Sequence, residues 1–397
     1  MLLTVEFTPG VYFKQYVRKG VAHITYLGQN IKKLGFGLMR LPMIGDEIDM
    51  EQTKAMVDTF MAKGFTYFDT AYVYINGKSE VAAREAIVKR YPRDSFTLAT
   101  KLPLWDNIET EADMQRIFDE SMERAGVEYF DYYLLHSMDK AKFEKADRIG
   151  AWDFLFKMKA QGKIKHCGFS FHDSAEVLDE ALTKHPEVEF VQLQLNYIDW
   201  ENDNVQSRKC YEVAVKHNKP IIVMEPVKGG SLASMNNEIQ GIMKAQNPDL
   251  SIPSWAVRFC AGLDNILTVL SGMSTKAQLD DNVSYMEHFE PLSDKEHEVL
   301  KTVVEKLNAI PTIPCTGCRY CVDDCPMQIH IPDIFRAVNH QKQFGSEDDV
   351  DRSGYESATR EGGKASECLH CGSCEAHCPQ HIHIIEELED AAKLFEG

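Results

Sequence analysis

Apolar, β-branched-rich runs recur along the first 290 residues, with amphipathic stretches between them. The runs read as strands at Leu34–Leu38, Tyr67–Asp69, Phe96–Thr100, Tyr132–Leu135, Lys165–Phe169, Phe190–Gln194, Pro220–Met224 and Leu267–Ser271. The intervening stretches carry apolar residues at helical spacing and predict helices at Met50–Lys63, Ser79–Arg90, Glu111–Ala125, Trp152–Gln161, Ser174–His185, Asn204–His217 and Thr275–His288. Strands alternating with helices over about 250 residues predict an α/β fold, a (β/α)8 TIM barrel. A doubly wound sheet would open on a glycine-rich first turn. The one candidate, Gly35-Phe36-Gly37-Leu38-Met39-Arg40, lacks the third glycine.

Beyond residue 290 the pattern changes. A helix is predicted near Lys295–Asn308, then a short Pro-bounded linker, Pro311–Pro314. IHIPDIFRAVNHQ and IHIIEELEDAAKLFE carry helical periodicity, and the polar, Gly-rich GSEDDVDRSGYESATREGGK between them reads as an exposed loop. The predicted organisation is an N-terminal extension over 1–21, a barrel over 22–291, a helix and linker over 292–314 and a small, mainly α-helical domain over 315–397.

Cysteine spacing gives that last domain its chemistry. Of eleven cysteines, Cys167, Cys210 and Cys260 lie among apolar neighbours and read as core residues. The other eight form two runs of identical C-x2-C-x2-C-x3-C-P spacing: Cys315, Cys318, Cys321, Cys325 and Cys368, Cys371, Cys374, Cys378. This is the bacterial ferredoxin pattern for two 4Fe–4S clusters, in which the fourth cysteine of each run ligates the cluster built on the other run. One cluster is therefore assigned to Cys315, Cys318, Cys321 and Cys378, the other to Cys368, Cys371, Cys374 and Cys325. Structural zinc would pair two cysteine hooks across a longer spacer. Disulfides would need an oxidising compartment.

A formal charge of −18 argues against nucleic acid or an anionic membrane as the main partner. No apolar run reaches the roughly 18 residues of a spanning helix, and the first residues lack the features of a signal peptide. The expected location is cytoplasmic.

In a barrel, polar residues at the C-terminal ends of strands are the catalytic candidates. Asp69 ends the second strand, Tyr74 follows in its loop, Lys101 ends the third strand and His136 the fourth. An unperturbed Tyr, with a pKa of about 10, is a sluggish proton donor at neutral pH. A neighbouring Lys101 ammonium would favour the phenolate, Asp69 would hold the lysine, and His136 could orient a substrate oxygen toward Tyr74.

The segments FDTAYVYINGKSE, LATKLPLW, DYYLLHS, KIKHCGFS and VQLQLNY resemble the signature segments of the aldo-keto reductase superfamily. The resemblance covers roughly Ile24–Pro291. It implies a hydride-transferring oxidoreductase that reduces a small-molecule carbonyl to an alcohol, or the reverse, with Tyr74 as the proton donor. It also implies NADP(H) or NAD(H) extended across the barrel mouth. Ser170 and Gln192 would hold the amide, with Met224 at the position of the stacking aromatic. The pyrophosphate would lie near Gly37, Met39, Gly229 and Gly230. Gly272, Met273 and Ser274 would offer free backbone N–H groups at the start of the helix after strand eight, a natural phosphate site, with Gln278 and Asn282 as further cofactor contacts. Phe171 stands where the family commonly has Asn, and Gly272 and Gln278 stand where many members place cations for the 2′-phosphate. A ferredoxin-type redox partner fits the cysteine domain. The alternative is an electron-transfer protein whose barrel serves as a flavin or partner platform.

Overall fold

The computed structural model describes residue 27 and residues 31–397, apart from 106, 316, 318, 320, 323–324, 346–349 and 379. The predicted N-terminal extension, the start of the barrel segment and Cys318 lie outside the described residues. The chain divides into two compact units. One comprises residues 1–229 and 253–297, the other residues 230–252 and 298–397.

The first unit is a closed eight-stranded barrel. Its strands are β1 (Leu34–Gly37), β4 (Tyr67–Asp69), β5 (Thr97–Pro103), β6 (Phe130–Met138), β7 (Ile164–Phe171), β8 (Phe190–Gln194), β9 (Ile221–Met224) and β10 (Ile266–Gly272). Two short antiparallel strands, β2 (Met43–Ile44) and β3 (Glu47–Ile48), form a separate ribbon after β1. Every barrel pairing is parallel, and β1 closes the ring against β4 and β10. Side chains fill the lumen. Tyr67, Tyr132 and Phe190 stack edge to face with ring centroids 5.0–5.2 Å apart, packed with Leu134, Ile222 and Leu267. Gly168 is required at this level: a Cβ there would stand 2.6 Å from the Phe190 carbonyl oxygen.

Helices begin where the sequence offers caps. Asp49 accepts from the Gln52 amide, Thr110 and Asp113 form a capping box, and Ser174 and Thr275 cap two later helices. Gly126 closes Glu111–Ala125 in the left-handed region, φ 67°.

Several elements differ from the periodicity. The predicted strand Tyr132–Leu135 runs from Phe130 to Met138. Asp131, of a residue type depleted in strands, is buried inside it because Arg93 (2.7 Å), Lys165 (2.9 Å) and the Leu98 amide (2.9 Å) satisfy its carboxylate. Ser79–Arg90 is a helix from Lys78 to Ala83 that widens into a π-turn over Arg84–Val88, with the Lys89 amide reaching the Arg84 carbonyl. The helices Lys140–Ile149 and Asn237–Gln246 each bury only two side chains, so no apolar stripe announces them.

The second unit packs helices Ile331–Phe344 and Ile384–Phe395 on a core of Ile334, Phe335, Val338, Leu388 and Phe395. The stretch read as an exposed loop contains a further helix, Ser353–Ala358, with Tyr355 stacked on Phe395 at 4.8 Å. Its small size hides it from a periodicity argument. Residues 230–252 belong here through Ser231, which bonds the His340 ring (2.6 Å), and Glu238, paired with Lys306 (2.6 Å). Among the described residues no helix is long and apolar enough to cross a membrane.

Candidate active site and cysteine centres

Parallel register brings the candidate catalytic residues to one end of the barrel. Asp69 is level with Gly37 and Ala99, Lys101 with Leu134, and His136 with Pro103. Lys101 is fully buried. Its ammonium donates to Asp69 Oδ2 at 2.6 Å and to the Thr70 carbonyl at 2.7 Å. It also lies 4.7 Å from the Tyr74 ring centroid. The His136 ring meets Tyr74 edge-on at 5.7 Å, and Trp105 flanks His136 on another side at 5.6 Å. The turn that presents Tyr74 passes through the left-handed region at Ile75, Asn76 and Gly77.

Electrostatics assign forms to these groups. Burial works to lower the Lys101 pKa, but Asp69 and Tyr74 outweigh it and hold the lysine protonated. Burial also raises the Tyr74 phenol above its ordinary value, and the nearby Lys101 offsets only part of this. Lys101 favours the phenolate, as expected from its position, but desolvation outweighs it and Tyr74 rests as the protonated acid. Burial, then the Lys101 charge, pushes His136 down to about 3, so its ring is neutral, and its Nδ1 is buried without a hydrogen-bond partner.

A buried carboxylate that the motif reading passed over lies behind this group. Glu80 accepts from Thr100 Oγ1 at 2.7 Å and stands 3.7 Å from Arg124. Its neighbour Ser79 bonds Thr70 at 2.7 Å and the Leu38 carbonyl at 2.9 Å. These contacts tie the loops after β1 and β4 to β5. The signal was present in the SE that closes FDTAYVYINGKSE.

Ser170 and Gln192 sit side by side in β7 and β8. Ser170 Oγ accepts the Ser137 amide at 2.7 Å, and the Gln192 amide nitrogen rests against Met224 Sδ at 3.6 Å. Gln192 Oε1 is buried with no partner, an acceptor that a ligand amide would satisfy. Across the rim, Gly37 pairs with Gly272, and Gly229 and Gly230 both take positive φ. Met39 is more than half exposed.

The adenosine-side candidates are placed less openly. Met273 is wholly buried, leaving only its backbone at the rim. The Ser274 amide already donates to Gln278 Oε1 (2.7 Å) and the Lys276 amide to Gln52 (3.1 Å). Asn282 is turned inward, bonded to Ser271 and to the Tyr285 hydroxyl. The helix N-terminus that read as an open phosphate site is thus partly self-satisfied. Sequence reasoning missed two charges at the same rim, Arg40 and Glu225.

In the second unit, Cys325 lines one cavity with Cys368, Cys371 and Cys374. A separate cavity is lined by Cys315, Cys321 and Cys378. Cys325 thus sits with the first three cysteines of the second run, and Cys378 with Cys315 and Cys321 of the first. Four thiols lining one cavity suit a cubane, which offers four separate iron corners. The remaining cysteines, Cys167, Cys210 and Cys260, are buried in the barrel unit.

Residues 33–305 match the model of the aldo/keto reductase family, and residues 314–383 match that of a 4Fe-4S dicluster domain. Curated relatives include a probable aldo-keto reductase 1 of Glycine max, 27% identical over 44% of this chain and 51% of its own length. Another is a 9,11-endoperoxide prostaglandin H2 reductase of Trypanosoma cruzi, 27% identical over 53% of this chain and 71% of its own. The chain spans about half the length of most of the curated relatives it matches. Similar folds include an aldo-keto reductase from Klebsiella pneumoniae in complex with NADPH (TM-score 0.57, 20% identity, 69% of this chain and 91% of that one). An aldo-keto reductase from Bacillus halodurans in its holo form is another (TM-score 0.55, 20% identity, 70% and 93%). The chain belongs to the aldo/keto reductase family of oxidoreductases and carries a 4Fe-4S dicluster domain C-terminal to it in sequence.

Proposed function

We propose that the barrel interconverts a carbonyl and an alcohol, with Tyr74 delivering the proton. The observation that carries this reading is the buried Lys101–Asp69 pair under the Tyr74 ring, with a neutral His136 edge-on to it. A nicotinamide dinucleotide bound at the mouth would supply the hydride. Gln192 Oε1, buried without a partner, and Ser170 would hold its amide, and Gly37 and Gly229 would lie beneath its diphosphate. The residues of the chain do the rest. His136, being neutral, can donate to a carbonyl oxygen and orient it toward the Tyr74 hydroxyl. As negative charge develops on that oxygen, Tyr74 gives up its proton, and the Lys101 ammonium stabilises the phenolate left behind. Asp69 keeps the lysine in place.

The eight cysteines are proposed as ligands to two 4Fe–4S clusters in the crossed arrangement, with Cys318 completing the set of Cys315, Cys321 and Cys378. Clusters of this kind carry single electrons, so the domain would serve a ferredoxin-type partner rather than the hydride step itself.

The test is anaerobic consumption of NADPH or NADH with a panel of aldehydes and ketones. Tyr74→Phe should lower kcat by about 10²–10⁴-fold, the usual contribution of a general acid, while nucleotide binding persists. Cluster-replete protein that turns over no carbonyl with either nucleotide would overturn the reading.

A further inference from the structure

Two charges of opposite sign, neither in an ion pair among the described residues, flank Gly229. The position that a Cβ on this glycine would occupy lies 3.5 Å from Arg40 Nη2 and 3.7 Å from Glu225 Oε2. The Arg40 guanidinium donates to the Gly229 carbonyl at 3.1 Å, and its alkyl stem packs on Gly272. The Glu225 carboxylate has no hydrogen bond or ion pair among the described residues. Lys228, the nearest cation in sequence, is engaged by Asp199 at 2.6 Å.

The backbone holds Glu225 in this place at a cost. It has φ 56°, a left-handed conformation that disfavours a residue with a long side chain, and Pro226 follows it. The Lys228 amide donates to the Glu225 carbonyl at 3.0 Å, and the Asn196 side chain does so at 3.2 Å. The turn out of β9 is thereby fixed, with the carboxylate near enough for its charge to act on both Tyr74 and His172.

We propose that Glu225 is an affinity- and specificity-determining residue that opposes anionic ligands in the Gly229 cradle, with Arg40 as the attracting counterpart. This rests on the reading that a dinucleotide diphosphate lies there. Arg40 can take a diphosphate through its planar fork. Glu225, partly buried and without a direct ion pair among the described residues, meets the same diphosphate as a like charge. The protein therefore holds nicotinamide dinucleotides more loosely than its glycine-lined rim alone would allow.

The experiment is equilibrium binding of NADPH and of NADH to anaerobically purified, cluster-loaded protein, followed by quenching of intrinsic fluorescence. Inorganic pyrophosphate serves as a competing probe. Glu225→Gln keeps the size and removes the charge, and Glu225→Ser is a second variant in case the first disturbs the turn. Both should tighten both nucleotides by about ten-fold or more and strengthen competition by pyrophosphate, and Arg40→Gln should weaken them. Unchanged or weaker binding in both Glu225 variants, with measurable binding in the wild type, overturns this inference and leaves the proposed function standing. Failure of the wild type and of every variant to bind either nucleotide overturns both.

Discussion

With Asp69 at 2.6 Å and no solvent contact, the Lys101 ammonium loses its hydrogen-bonded counter-ion when Asp69 is replaced, and the Glu80 carboxylate behind it interacts only through space. Asp69→Asn should therefore destabilise the barrel by about 3–5 kcal/mol, the usual result of leaving one member of a buried pair. Tyr74→Phe should leave stability nearly unchanged, and thermal unfolding of the two variants separates the effects. Proton chemistry gives a second expectation. Burial raises the Tyr74 phenol, so the acid form persists through neutral pH. Carbonyl reduction should hold steady across that range and decline only as pH climbs through a value above 10, while alcohol oxidation gains over the same interval. His136 sits at about 3 and stays neutral throughout, so kcat/KM should show no inflection near the ordinary histidine value.

Helix Ile252–Gly262 is joined to the start of helix Asp294–Ala309 by Arg258 and Glu296, 2.7 Å apart. Burial works against the Glu296 carboxylate, but Arg258 and the Ser293 amide and hydroxyl outweigh it and bring its pKa down to about 2. A folded-state value below the unfolded one adds stability above about pH 4.5, and this is lost as pH falls toward 2. Glu296→Gln should flatten that part of the acid-denaturation curve, read by circular dichroism. Elements were legible where their pattern was strong. Tyr67–Asp69, Phe190–Gln194 and Glu111–Ala125 match residue for residue, because clean apolar runs or a capping box mark both ends. Asp131 concealed two residues of β6, since partners 33 to 38 positions away in sequence satisfy it. The four candidate catalytic residues were legible because strand ends dictate where they meet. Arg40 and Glu225 were not, since their placement depends on a left-handed turn and on a glycine between them.

At the scale of the molecule, the two cysteine runs are interleaved. Cys325 shares a cavity with Cys368, Cys371 and Cys374, 43 to 49 positions on. Cys325→Ser should therefore deplete the cluster built on the second run and leave the one on Cys315 and Cys321, measured by iron content and by the spectrum of the dithionite-reduced protein. Loss of the centre built on the first run instead would overturn the crossed assignment.

Residues 230–252 bring a constraint of timing. They emerge from the ribosome before His340 and Lys306, which later hold Ser231 and Glu238. At about 5–20 residues per second, the wait for His340 lasts roughly five to twenty seconds. The apolar side chains of Ile239 and Met243 belong to that early segment. A gene cut just ahead of the first cysteine would keep Lys306 but remove the His340 that bonds Ser231. The natural seam of this protein is therefore not the linker before Cys315, and a barrel expressed without its tail should be aggregation-prone unless residues 230–252 are rebuilt as well.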